Sequence, residues 1–299
     1  MHKKAYLLLL ATTLFWAGNA VAGKLAVGHV SPMLLNAVRW AGMLAIMLAI
    51  GHRHLRRDWA TIRSHWGFLL FTGIIGFTGF SVAMYSALRY TSATNVSIEQ
   101  GGIPLFVFLA SYLLFGTRTR PGQFAGFALS FLGVAVTATN GEPATLLALD
   151  INLGDAQMLL AIVAFGLYTA IIKRKPDMHW MSLMTALCIG ATLSAIPFVL
   201  VEAAAGAMIL PDTLGWLVIL YVVILPSVVA QAFYVEAVEL IGANRAGIFI
   251  NFLPLWGVLL SVLILGEAFQ AFHAVALAMV LAGVLMAEVS GYRAEARPA

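Results

Sequence analysis

An all-α membrane protein, with ten transmembrane helices as two inverted five-helix repeats around a central cavity, is the fold class predicted by three observations. The 299 residues are 62% hydrophobic and 10% charged, with a mean hydropathy of +0.94, against roughly 45–50% apolar and about 25% charged in soluble domains. Apolar runs follow one another almost end to end, and about 20 such residues suffice for a helix to cross a hydrocarbon core of roughly 30 Å. A shift of 150 positions lays the first half of the chain over the second.

Ten spans are expected, near residues 5–27, 33–51, 66–88, 94–115, 121–139, 155–172, 180–204, 214–234, 244–265 and 271–290. The first follows His2, Lys3 and Lys4 as a secretory signal would, but it holds Trp16 and Asn19 and runs too long, so it is read as a helix and no cleavable segment is expected. Gly73, Gly76 and Gly79 in the third span, and Gly122 and Gly126 in the fifth, predict close helix approach. The single cysteine, Cys188 in the seventh, excludes an intramolecular disulfide and reads as a small packing residue.

Orientation follows from the cations. Fourteen of the 17 Lys and Arg residues fall on one side, among them Lys3, Lys4, Arg53, Arg56, Arg57, Arg118, Arg120, Lys173, Arg174, Lys175, Arg245 and Arg297. Cationic loops stay cytoplasmic, so both termini are expected there. The net charge of +4 comes from these loops. With no basic patch interleaved with aromatics, nucleic acid is not an expected partner. A small-molecule substrate and the lipid bilayer are, and no cofactor or metal is expected.

In the 150-residue register Pro104, Leu105, Leu109, Ser111, Leu113, Gly116, Gly133 and Val134 fall on identical residues, and Lys24 falls on Arg174. The halves are taken as 1–141 and 150–291, with a tail at 292–299. Five spans per half is an odd number, so the second half must enter the membrane upside down. Inverted repeats are a recurring plan of secondary transporters, with the substrate near the midplane and interrupted helices lining its site.

Two anomalies sit in the fourth span. Gly101, Gly102 and Pro104 break the helix, and backbone out of helical geometry must face protein or a wet cavity rather than lipid. Pro254 in the ninth span and Pro226 in the eighth make the same demand, and these five residues are the candidate kinks and gates. Glu99 is the second anomaly, since a carboxylate inside a bilayer must be paired, protonated or wet. It reads as a proton-coupling or substrate-binding group, or as a partner of Arg89. Arg39, also inside a span, is read mainly as structural, and Lys24 as an interfacial anchor.

Candidate cavity residues come from stripes at helical spacing. Trp16 and Asn19 share one with Thr12 and Gly23, and Gln231 and Tyr234 share another with Ser227. Tyr85, Tyr168, Phe249, Phe252 and Trp256 supply aromatic walls, and Asn95, Gln100, Asn244 and Asn251 hydrogen-bonding groups, although Asn, Gln and Thr also serve as interhelical glue. No catalytic residues are assigned. A membrane-embedded lipid-processing enzyme would want clustered acids or a Ser/His pair near one face. The histidines lie in or beside loops, and Glu142, Asp150, Asp155, Glu202, Asp212 and Glu267 are read as scattered through loops.

WAGNAVAGKL with Arg39 beyond it, YSALRYTSATNVSI followed by Pro104, and LPLWGVLLSVLILGEA ending in Gly266 and Glu267 resemble, in order and spacing, the drug/metabolite transporter superfamily in its EamA-type ten-helix branch. Thr117 stands where the first half of that pattern would have Glu. The resemblance implies an inner-membrane carrier working by alternating access, commonly an exporter of amino acids or other metabolites, and is greatest to aromatic amino-acid exporters of the YddG type. Export of cationic drugs is the runner-up. It further implies a pathway lined by spans 1, 3, 4, 6, 8 and 9, with 5 and 10 peripheral.

Overall fold

Hydrocarbon leaves a polypeptide no water to bond its backbone, so such a chain must close its hydrogen bonds within helices. The computed structural model, which describes residues 2–116, 121–142 and 152–295, does this with no strand among the described residues. Its main elements are α1 (His2–Leu25), α2 (Pro32–Arg57), α3 (Trp66–Ala87), α4 (Ala93–Phe115), α5 (Pro121–Ala138), α6 (Leu153–Ile172), α7 (Trp180–Ala204), α8 (Thr213–Ile241), α9 (Arg245–Leu265) and α10 (Ala271–Glu295). Nine helices among the described residues are long and apolar enough to cross a membrane, and α10 adds an apolar stretch over Ala271–Ala287. Thr117, Arg118, Arg120, Asp150 and Arg297 lie outside the described residues.

Two helices outrun their apolar stretches. α2 continues to Arg57 and α8 to Ile241, so His52 and His54 are helical rather than in a loop. The extra turn of α2 carries His54, Arg56 and Arg57, and cations favour a helix C-terminus.

Local geometry repeats in the 150-residue register. α3 and α8 each contain a π-helical turn, Ile74–Gly79 and Val223–Val229. α4 and α9 each pass through a 3-10 turn, Gln100–Gly102 and Phe249–Phe252, and resume as Ile103–Phe115 and Leu253–Leu265. Pro104 and Pro254 stand in the first turn of the resumed helices, where their missing N–H breaks no bond. Gly116 and Gly266 end them at φ +65° and +66°, a left-handed conformation that only glycine enters without strain.

Packing shows the inversion. Gly126 of α5 rests on the backbone of Gly283 of α10, Gly133 rests on Ala276, and Ser130 donates to the Val280 carbonyl at 3.1 Å. Adding 150 turns 126 into 276 and 133 into 283, so the first two contacts are one contact seen from both sides, as across a two-fold axis. Numbers rise along α5 as they fall along α10, so the two equivalent helices are antiparallel and the halves are inverted. α2 and α7 pair likewise, with Gly51 on Met181 and Ser31 bonded to Glu202.

The two ends of the bundle differ. At the distal end, which holds the turns at 26–31, 88–92, 205–212 and 266–270, carboxylates from one half cap helices of the other. Glu202 accepts from Ser31 Oγ at 2.6 Å and from the Leu34 amide at the start of α2. Glu267 accepts from the Ala93 and Thr94 amides and the Thr94 hydroxyl (2.8, 2.8 and 2.6 Å) at the start of α4. Asp212 accepts from the Gly215 amide and lies 2.7 Å from His29, bonds that hold its carboxyl below the usual carboxylate range. That contact is present above the unfolded carboxylate pKa and is lost as pH falls through the lowered value. At the proximal end, where α1 begins, Lys4 pairs with Glu236, His54 stacks on His179, Arg174 lies over the Phe115 ring, and Asp58 accepts from the His179 amide at the start of α7 at 2.9 Å. The positions equivalent to Glu202 and Glu267 are His52 and Thr117, so those two caps have no acidic residue at the equivalent positions.

Candidate substrate cavity

Both broken helices turn their irregular backbone inward. A cavity of about 380 Å³ is lined by Gln100, Gly101, Ile103 and Pro104 of α4 and by Ile250, Asn251, Leu253 and Pro254 of α9, next to Pro226 and Ser227 of α8. It runs from mid-bundle toward the proximal end, reaching Ile172, the last residue of α6, and Tyr234 of α8. Its walls are aromatic. Trp40 stacks on Phe77 at 4.3 Å between centroids, Phe77 meets Tyr168 at 5.8 Å, and Phe165 joins Tyr168 to Phe80. Opposite, Trp16 lies 5.4 Å from Tyr234 and donates its indole N–H to the Pro226 carbonyl at 3.0 Å.

The cavity's distal limit is a polar layer built on a proline. Pro226 has no N–H to offer the carbonyl of Val222, four residues earlier. The Ser227 hydroxyl donates to that carbonyl instead, at 2.7 Å, and its oxygen is left to accept Nε of Arg39 at 2.9 Å. Arg39 Nη1 donates to the Tyr85 hydroxyl at 2.9 Å, which passes its own proton to Asn19 Oδ1 at 2.8 Å. Arginine carries five N–H donors, of which Tyr85 and Ser227 take two. Among the described residues no carboxylate stands within ion-pair distance of Arg39. The guanidinium lies 4.5 Å from the Trp40 ring and is the only charged side chain in the cavity lining. Beyond the layer a second pocket of about 250 Å³, bounded by Tyr85 and Arg89, lies in the distal turns.

Of the cavity residues expected from sequence, Trp16, Asn19, Gln100, Tyr168, Gln231, Tyr234 and Asn251 line this space, as do Gly101, Pro104, Pro226 and Pro254. Others lie elsewhere. Tyr85 is buried in the layer beyond the cavity. Asn95 is engaged by His273 Nε2 and Thr91, so its amide serves the distal packing. Phe249 is stacked on Tyr6, while Phe252, Trp256 and Gly102 pack outside the lining. The Asn244 side chain lies outside the described residues.

Glu99 is 1% exposed and does not line the cavity. Arg89 does not pair with it but lies over the Tyr90 ring. Its neighbour is Asp155, which is not in a loop but in the first turn of α6, buried. Glu202 likewise belongs to α7 and His273 to a buried turn of α10. These polar groups pair across helices distant in sequence, which no single helical stripe displays.

Lys24, expected as an interfacial anchor, is half-buried near the distal turns. Its Nζ donates to the Leu88 and Thr91 carbonyls (2.8 and 2.6 Å), satisfying the C-terminal end of α3. α2 and α10 also line the cavity, whereas α5 and α7 do not. α10 enters because Gly101 has no side chain, so Val280 packs directly against the break. Arg39, Trp40, Phe77, Phe80, Phe165 and Ser227 also line the cavity. The cation inside a span was the signal for Arg39; the rings are indistinguishable from core residues in sequence.

Comparison with known proteins follows from this geometry. The model of the EamA-like transporter family matches residues 3–139 and 152–288, one copy in each half. The chain belongs to the EamA-like transporter family. It is a multi-pass membrane transporter of that family, as its relatives' names also indicate. It is similar to the uncharacterized transporters YetK and YyaM of Bacillus subtilis (strain 168), at 25% and 24% identity over 99% and 96% of this chain and 90% and 94% of theirs. An uncharacterized transporter of Archaeoglobus fulgidus is 28% identical over 96% of this chain and 98% of its own. A crystal structure of a protein 22% identical superposes with a TM-score of 0.65, covering 99% of this chain and 100% of that one, a likeness in fold alone. In this EamA-like chain Glu267→Gln should lower stability by about 1–2 kcal/mol, because it weakens a charged cap on a helix N-terminus. Thermal unfolding in detergent would measure it.

Proposed function

We propose that this EamA-like transporter exports amphipathic metabolites bearing a carboxylate, aromatic and other apolar amino acids foremost, by alternating access across the inner membrane. One observation carries the reading: a guanidinium without a carboxylate partner, Arg39, at the end of an aromatic-walled cavity sized for one small molecule. A substrate carboxylate would complete the unused donors of Arg39 and the rings would cover an apolar side chain, while Gln231, Gln100 and the Tyr234 hydroxyl offer acceptors to an ammonium group. Export of cationic drugs is disfavoured because the lining holds a fixed positive charge and no carboxylate.

Alternating access is supported by the unlike use of like residues. Lys24 and Arg174 are equivalent in the repeat, yet Lys24 binds the end of α3 while Arg174 lies over Phe115. In the mirrored state Arg174 takes the corresponding carbonyls of Val238 and Ile241, and the proximal end closes. The two halves, 1–141 and 150–291, rock about the cavity, and α3 and α8 shift within them as one end closes and the other opens. The excess of Lys and Arg at the proximal end supports a cytoplasmic proximal end and cytoplasmic termini, an orientation in which the cavity loads from inside. Reconstituted liposomes should take up labelled phenylalanine or tryptophan but not the corresponding methyl ester or a quaternary ammonium drug. Equal transport of the ester would rule the reading out.

A further inference from the structure

We propose that Glu99 of α4 and Asp155 of α6 form a proton-binding site, and that uptake of one proton there is required for the distal face to close. This deepens the alternating-access reading and rests on it. Both carboxyls are buried, at 1% and 3% exposure. Asp155 lies beside Thr91, Asn95 and Glu99, yet among the described residues none of the four carboxyl oxygens has a donor at hydrogen-bonding geometry, and neither acid forms an ion pair.

Two adjacent carboxylates so shielded from bulk solvent cannot both stay ionised, because among the described residues no cation pairs with either to offset their repulsion. The charged groups of the surrounding elements are committed elsewhere. From α1, Lys24 binds carbonyls, and from the turn after α9, Glu267 caps α4. From α10, His273 accepts the Gln270 amide at Nδ1, so Nε2 carries the proton donated to Asn95. From α3 and the turn beyond it, Tyr85 joins the Arg39 layer and Arg89 lies over Tyr90. α5 presents no titratable side chain.

Glu99 belongs to one half and Asp155 to the other, so distal opening parts them and lets water reach both. Closing them together then binds a proton on a carboxylate oxygen, taken from the distal water, and the pair shares it. The mirrored positions are Phe249 and Ala5, and Tyr6 stacks on Phe249 there. Proximal closure therefore buries no carboxyl pair, and the proton acts on one face only.

The test needs no substrate, so its failure leaves the assignment of cargo standing. Ala26, 3% exposed beside the distal pocket, is replaced by Cys in a Cys188→Ala background and labelled with an impermeant maleimide. Rates are divided by those of the same protein carrying Glu99→Gln, which cancels the thiol's own ionisation. The ratio should rise between about pH 5 and about pH 9, by up to about tenfold per pH unit, as expected for release of one proton. Dividing by Asp155→Asn should give the same rise, and His273→Gln in the reference background should preserve it. A flat ratio, a rise lost with His273→Gln, or no rise against Asp155→Asn would each overturn the proposal.

Discussion

Replacing Arg39 with Gln should reduce uptake of labelled phenylalanine in liposomes about 30-fold or more, since truncating a buried charge-paired contact costs about 2–5 kcal/mol. The same change should leave the protein as stable as before or more so. A buried guanidinium without a carboxylate partner is held at a desolvation penalty, which the neutral amide avoids. Function and stability therefore separate, whereas a structural arginine would lose both together. Arg39→Lys should recover only part of the flux. A single ammonium cannot reach Ser227, Tyr85 and a substrate carboxylate in one plane, as the guanidinium fork does. Thermal unfolding alongside flux decides the matter, and a variant that transports normally would remove Arg39 from the site.

Gly283→Val should damage folding severely, at about 3 kcal/mol or more. A side chain there would overlap the carbonyl oxygen of Gly126 and crowd the Ser130 amide, both backbone atoms of α5. Backbone cannot rotate away as a side chain can, so α5 and α10 must separate, and their contact holds the two halves along the pseudo-two-fold axis. Gly126→Val meets the same obstacle from the other side and should behave alike. Gly67→Ala, with no neighbouring atom within 4 Å of the added carbon, is the control and should be silent. Unfolding temperature and monodispersity in detergent would report all three.

What the sequence by itself determined is whatever each segment decides from its own composition. The spans follow from apolar length, and inversion follows from five spans per half. The breaks before Pro104 and Pro254 follow from a ring that fits the first turn of a helix and not its interior. Each of these is local chemistry, repeated 150 residues apart. Only the tertiary structure decided which buried polar groups meet. Arg39 finds Tyr85 and Ser227, 46 and 188 positions away, and Glu267 caps a helix 173 and 174 positions before it. Such pairings arise between helices whose interfaces are set by small residues such as Gly126 and Gly283, and no periodicity within one helix encodes them. The two halves share a helix plan but few residues, so equivalent positions at the two ends carry different side chains. At the distal end Glu202 and Glu267 join the halves as carboxylate caps while the equivalent positions, His52 and Thr117, carry no carboxylate, and only packing decides which helix starts those two acids reach, because their partners come from the other half of the chain.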